Sequence, residues 1–170
     1  MVNPINRGGG AALRAGYEIA MNYGAQIVVT LDADGQHVPA EIPLLVEPIL
    51  KGEADFVNGS RVLGTFEKES AIRSLGVVVF NRLVSALMAQ PITDCSNAFR
   101  AIRVEVIKKL SLEQDQFHTS EFLIDAIKKG ARVVEVGITI RKRQSGTTKK
   151  PMSLVYGWGF FKAILNSWLR

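Results

Sequence analysis

Cysteine is almost missing from this chain. Cys95 is the only one in 170 residues, which excludes a disulfide framework and any cysteine-built zinc centre and fits a reducing compartment. Histidine is nearly as scarce. His37 and His118 are the two present, and without a third partner at useful spacing a histidine-based metal site is not expected. No apolar run approaches the ~18 residues of a membrane span. Met1 to Arg7 has no apolar stretch behind its charge, so no signal peptide is expected. With 47% hydrophobic and 22% charged residues, disorder, collagen and coiled coil are excluded. The length suits one domain.

Carboxylates are missing from one end. The 35 residues after Glu135 carry seven lysines and arginines and no Asp or Glu, while the rest is slightly acidic. Such a block attracts phosphates, nucleic acid or an anionic membrane, or is a solvated tail.

Helical and strand periods alternate along the chain. Gly8-Gly9-Gly10 opens a helix ending near Gly24, followed by the β-branched strand Gln26 to Leu31, apolar on both faces. Pro39 suits the first turn of a helix to about Leu50. Ala54 to Gly59 reads as a strand, Arg61 to Glu69 as a polar loop, and Ala71 to Leu87 as a long helix. A strand over Ala98 to Ile102, a short helix over Val104 to Leu110 and a helix capped by Thr119 or Ser120 follow. Val133 to Ile140 is a strand, Arg141 to Lys150 a basic loop and Ser153 to Arg170 a last helix. The class is α/β with a mostly parallel sheet.

Three segments carry chemistry. In Asp32-Ala33-Asp34-Gly35-Gln36-His37 two carboxylates follow the end of an apolar strand, the edge where α/β sheets gather ligands. With the Gln36 amide they offer hard oxygens for Mg²⁺ or Mn²⁺ bridging to phosphates. An Asx-type turn explains the same residues without a metal. Thr93 to Arg103 places polar residues, with Asp94, Ser96 and Asn97, before an apolar stretch carrying Arg100 and suits an anionic substrate. Five cations between Arg141 and Lys150 surround Gly146 and form a phosphate clamp. No aromatics interleave with them, so nucleic acid is not the expected partner. Glu121 is a further acid that faces a cleft or supports its helix's first turn. Nothing marks Cys95 as a nucleophile.

These motifs, in this order, resemble the family 2 glycosyltransferases, in the dolichyl-phosphate mannose synthase-like branch that uses polyprenyl phosphates. Asn6 to Leu13 resembles the family's Asn-x-Gly-x-Gly-x-Ala-Leu segment, and Asp32 to His37 its Asp-x-Asp metal motif with the following Gln-His. Asn58-Gly59-Ser60-Arg61 is similar to its Gly-Ser-Arg strand end, and Asp94 to Phe99 to its Asp-x-x-Ser-Gly-Phe acceptor loop. Glu135 to Lys149 resembles its Glu-Val-Pro-Ile strand and Arg-x-x-Gly-x-Ser-Lys segment. Asn97-Ala98, Gly137 and Thr148 depart from that pattern. The family's opening strands, which hold base and ribose, have no counterpart here. Haloacid-dehalogenase-type phosphatases share only the Asp-x-Asp-Gly phrase.

The resemblance implies an N-terminally truncated, GT-A-like (Rossmann-like) sheet flanked by helices. It implies a partial catalytic domain over residues 1–152 and an amphipathic, membrane-interfacial helix over 153–170. The implied reaction is inverting sugar transfer from a nucleotide-sugar donor to a polyprenyl phosphate acceptor, peripheral at the cytoplasmic face of a membrane. Asp32, Asp34 and Gln36 would hold Mg²⁺ or Mn²⁺. Asp94 and Arg143 would be catalytic, and Arg61, Ser96, Asn97, Arg100 and Lys149 would bind substrate. In the last helix Leu154, Trp158, Phe161, Leu165 and Trp168 form a stripe that suits a membrane surface or a core. A non-catalytic remnant is the alternative, and a magnesium phosphatase a weaker one. With the opening strands absent, the strand Gln26 to Leu31 is expected to keep an unpaired edge or an uncovered apolar face.

Overall fold

The computed structural model describes residues 7–66, 71–142 and 154–170. Helix α1 (Gly9–Asn22) leads into strand β1 (Ile27–Thr30). A 3-10 turn at Pro39–Glu41 opens α2 (Ile42–Leu50), where the fixed φ of proline suits the start. Strand β2 (Phe56–Phe66), helix α3 (Ala71–Met88), strand β3 (Arg100–Arg103) and helix α4 (Val104–Ile107) come next. Helix α5 (His118–Lys128), strand β4 (Val133–Ile140) and helix α6 (Leu154–Leu169) complete the chain.

The sheet order is β1-β3-β2-β4. β3 is antiparallel to both β1 and β2, and β2 is parallel to β4. Three strands therefore share one direction, as expected, but the fourth is inserted between two of them and makes the sheet mixed. Apolar periodicity reports which face of a strand is buried and is blind to strand direction.

β2 is longer than the sequence suggests. The segment from Arg61, expected as loop, continues the strand to Phe66. Ser60 pairs with Gly137 and Thr65 with Thr139, so β2 bulges between them. A bulge resets which residues share a face, and this hides the strand from a period-two reading.

The sheet separates two cores. On one face Phe56 and Ile102 pack with Tyr17 of α1, Val84 of α3, Phe122 and Leu123 of α5 and Ile164 of α6. On the other, Val57, Ala101 and Phe99 pack with Leu45 and Ile49 of α2. Neighbouring residues in β2 and β3 thus serve opposite cores, as the alternation of a strand requires.

α6 belongs to the first core. Phe160, Ala163, Ile164 and Ser167 form its buried face, and Arg170 pairs with Glu113 and Glu121. The stripe expected from the sequence lies on the neighbouring face: Trp158 is 57% and Trp168 39% exposed. Among the described residues β1 pairs only with β3, and an open groove of about 300 Å³ runs between it and α1, lined by Leu13, Tyr17, Val28 and Thr30. Among the described residues no helix is long and apolar enough to cross a membrane.

Candidate functional site

The mixed topology brings the motifs to one end of the sheet. Thr30 of β1 and Asn58 of β2 both pair with Arg100 at the start of β3. The segment that leaves β1, the first half of β2 and the segment that enters β3 therefore meet, and the end of β4 joins them through the His37–Ile140 bridge.

Asp32 to His37 leaves β1 as a tight turn. Gly35 has φ 79°, a conformation that glycine adopts without a Cβ penalty. The Gln36 N–H donates to Asp34 Oδ1 at 3.1 Å, so the Asx turn read as the alternative is present. Asp32 is exposed and Asp34 half-buried. The turn is stitched to β4: Arg141 N–H donates to the Gln36 carbonyl at 2.9 Å, Gln36 Nε2 donates to the Arg141 carbonyl at 3.2 Å, and His37 bridges to Ile140. Two carboxylates and an amide oxygen at an open strand end fit a hard divalent cation whose shell a phosphate completes. Among the described residues no three or more His, Cys, Asp or Glu side chains are arranged so that they could hold a metal ion by themselves.

His37 is buried, 6% exposed. Its Nδ1 accepts the Asp32 N–H at 2.9 Å, its Nε2 lies 3.0 Å from Asn97 Oδ1, and its ring packs 5.1 Å from that of Phe99. Burial lowers its pKa below the ordinary histidine value, against the raising effects of Asp32 and of the Asn97 bond.

The second cluster is built around Asp94, which is fully buried. Its Oδ2 accepts from Arg61 Nε at 2.7 Å and from the Arg61 N–H at 3.1 Å, and its Oδ1 from Arg61 Nη2 at 3.2 Å. Ser96 Oγ accepts from Arg61 Nη2 at 3.1 Å. Both carboxylate oxygens are thus engaged, and Asp94 anchors Arg61, whose side chain stays partly exposed. Asn97 Nδ2 donates to the Gly59 carbonyl at 2.6 Å and its Oδ1 accepts the Phe99 N–H at 3.2 Å.

Glu135 holds the second cluster from beneath. It accepts from Thr93 N–H at 2.6 Å, Thr93 Oγ1 at 2.7 Å, Asp94 N–H at 3.1 Å and Asn58 Nδ2 at 2.9 Å. Asn81 supports the same loop through the Cys95 N–H at 2.9 Å and the Thr93 carbonyl. Glu135 and Asn58 lie in the family-like motifs but, with Asn81, are not among the site residues that the resemblance implies. A lone carboxylate in an otherwise apolar strand was the available signal for Glu135.

Two candidates lie elsewhere. Arg100 points into the first core, 3% exposed, with its guanidinium 5.6 Å from the Phe56 ring and 5.9 Å from that of Phe122. Burial lowers its pKa to about 10, so it remains a cation that hydrogen-bonds Asn58 Oδ1 and stays inside the core. Glu121 is fully buried and accepts from the Glu113 and Gln114 N–H groups and from Arg170, each at 2.9 Å. It faces no cleft. Burial pushes the Cys95 thiol up to about 12, in keeping with an inert core residue. Arg143 and Lys149 lie outside the described residues.

This mixed sheet with its site at one end is the fold of the GT-A glycosyltransferases. It superposes on glucosyl-3-phosphoglycerate synthase from Mycobacterium tuberculosis, in complex with Mn²⁺, UDP-glucose and phosphoglyceric acid, with a TM-score of 0.71 at 18% identity, covering 98% of this chain and 57% of that one. Residues 1–111 match Glycosyl transferase family 2, and the chain belongs to that family. The polyprenol monophosphomannose synthase of Mycolicibacterium smegmatis is 34% identical over 146 residues, 82% of this chain and 55% of the relative. The UDP-N-acetylglucosamine–dolichyl-phosphate N-acetylglucosaminyltransferase of Methanococcus voltae is 33% identical over 138 residues, 78% of this chain and 55% of the relative. The chain thus spans about half the length of the curated relatives it matches.

Proposed function

We propose that the protein transfers a sugar, with inversion, from a nucleoside-diphosphate donor to a polyprenyl phosphate at the cytoplasmic face of a membrane. The observation that carries this reading is the meeting of the Asp32–Asp34 turn and the Arg61–Asp94–Ser96 cluster across the 3.0 Å contact of His37 and Asn97. One cluster is anionic and open and suits a cation-bound diphosphate. The other presents an anchored guanidinium to an anion. The names of the relatives, several of them polyprenyl-phosphate sugar transferases, support the acceptor class.

Asp32, Asp34 and the Gln36 amide oxygen would hold Mg²⁺ or Mn²⁺, which offsets charge on the departing diphosphate. Arg61, fixed by Asp94, orients the acceptor phosphate, with Ser96 and Asn97 shaping the same side. Arg143 and Lys149 are assigned to phosphate contacts by their place in the motif alone. A phosphate monoester is largely dianionic at neutral pH, its second pKa being ~6, so its oxygen attacks the anomeric carbon without a strong base. That agrees with an Asp94 whose oxygens are both engaged. The outward face of α6, with Trp158 stacked on Phe161 and Lys162 above Trp158, suits the membrane interface.

The test supplies radiolabelled UDP- and GDP-sugars with a polyprenyl phosphate in anionic vesicles and Mn²⁺. Label in the lipid phase supports the reading. Label that stays in the donor under every condition overturns it and favours a non-catalytic binding role. Phosphate release from a phosphoester would indicate a phosphatase.

A further inference from the structure

We propose that His37 is a positioning residue that couples the Asp32–Asp34 turn to the acceptor loop through one fixed tautomer and one fixed amide orientation. The proposal rests on the functional reading above. The Asn97 amide is oriented by two backbone groups: Phe99 N–H requires an oxygen on one side and the Gly59 carbonyl requires an N–H on the other. Asn97 therefore turns Oδ1 to His37, and His37 Nε2 carries the proton donated to it at 3.0 Å. The imidazole has one other nitrogen, and Nδ1 accepts the Asp32 N–H at 2.9 Å. The Gly59 carbonyl, Asn97, His37 and the Asp32 backbone form one chain of donors and acceptors in which each member satisfies the next.

The chain is held sideways as well. The imidazole is 6% exposed and Asn97 2%, the ring packs on Phe99, and the His37 backbone bridges to Ile140. Asp32 leads the carboxylate pair, so a shift of Asn97 moves the backbone that aims the Asp32 carboxylate. A hydroxyl at position 97 is too short to make the same contact to His37 without moving the loop. Asparagine at this position thus ties the donor and acceptor sides more directly than a serine would.

The test uses the full chain with His37→Phe, which keeps the ring on Phe99 and removes both hydrogen bonds, and with Asn97→Ala, which leaves His37 untouched. Two quantities are read: hydrogen exchange of the Asp32 amide without ligand, and the Mn²⁺ concentration that half-saturates UDP binding by calorimetry. Each substitution is expected to speed Asp32 exchange and raise the Mn²⁺ midpoint by about five- to tenfold, the scale of one lost hydrogen bond. The double variant is expected to be no worse than the worse single one. In steady-state transfer Asn97→Ala is expected to raise the donor KM as well as the acceptor KM. Asp32 exchange unchanged in Asn97→Ala overturns the coupling. If exchange responds but the wild-type chain shows no Mn²⁺-dependent UDP binding, the functional reading fails and the positioning role fails with it. If His37→Phe does not fold, Asn97→Ala decides alone.

Discussion

Arg61 and Asp94 form a two-pronged ion pair, Nε to Oδ2 at 2.7 Å and Nη2 to Oδ1 at 3.2 Å, with the aspartate fully buried and the arginine side chain partly exposed. Removing one partner strands a buried charge. Arg61→Ala is expected to cost about 3–5 kcal/mol of stability and to abolish transfer. Asp94→Asn retains the shape and one acceptor, and transfer should fall by about tenfold rather than the 10²–10⁴ expected for loss of a general base. Denaturant titration and initial rates on both variants check this.

Asp34→Asn removes one of two carboxylates at the open turn while keeping an oxygen for the Gln36 N–H. Mn²⁺-dependent UDP binding should weaken by at least about tenfold, the scale of one lost charged ligand interaction, with the melting temperature nearly unchanged. Calorimetry with and without chelator measures it. Binding unaffected by both would remove the metal assignment.

Arg100 lies in the core between two rings. Arg100→Met should destabilise by about 1–3 kcal/mol, because it keeps the chain length but strands the buried Asn58 Oδ1. Arg100→Ala should cost about 3 kcal/mol through the cavity it leaves. Arg100→Met should leave the acceptor KM unchanged, whereas a substrate-binding role predicts a rise.

Two glycines of α1 should respond oppositely to alanine. A Cβ on Gly10 would lie 2.0 Å from the Gln114 carbonyl oxygen, so Gly10→Ala should destabilise by about 1–3 kcal/mol. Gly16 has nothing within 4 Å of the same position, and Gly16→Ala should stabilise by about 0.5–1 kcal/mol. Thermal melts separate them. The glycine-rich opening of this helix is thereby a packing feature against the 114–118 segment.

Asp55 supplies a pH dependence remote from the site. Hydrogen bonds from the Arg132 side chain are the main cause that lowers its carboxyl from 3.8 to about 2. A depressed folded value means that the stabilisation is complete above the unfolded pKa and is lost as pH falls from about 4 to about 2. The Arg132 side chain is 56% exposed, and after solvent screening the contribution is about 1 kcal/mol. The stability gap between wild type and Asp55→Asn should be present at pH 5 and narrow steeply towards pH 2, as read by urea denaturation.

The order of elements, the two-faced β1, the Asp32–Asp34 turn at its end and the helix boundaries at Gly24 and before Pro91 follow from local physics: side-chain period, backbone freedom and turn chemistry. These act within a few residues, so the sequence alone determines them. The antiparallel insertion of β3, the bulge that carries β2 to Phe66, the burial of Arg100 and the Glu135 bonds beneath Thr93 join residues far apart in the chain, as in the pairing of Phe56 with Val133. Only the tertiary structure decides these. Alternation says that a strand has two faces, but which face meets which helix, and which charge finds a partner, depends on how the sheet is assembled. The same holds for α6. Its sequence carries two adjacent apolar faces, and packing on α3 and α5 buried the one through Phe160 and Ile164, leaving Trp158 outside.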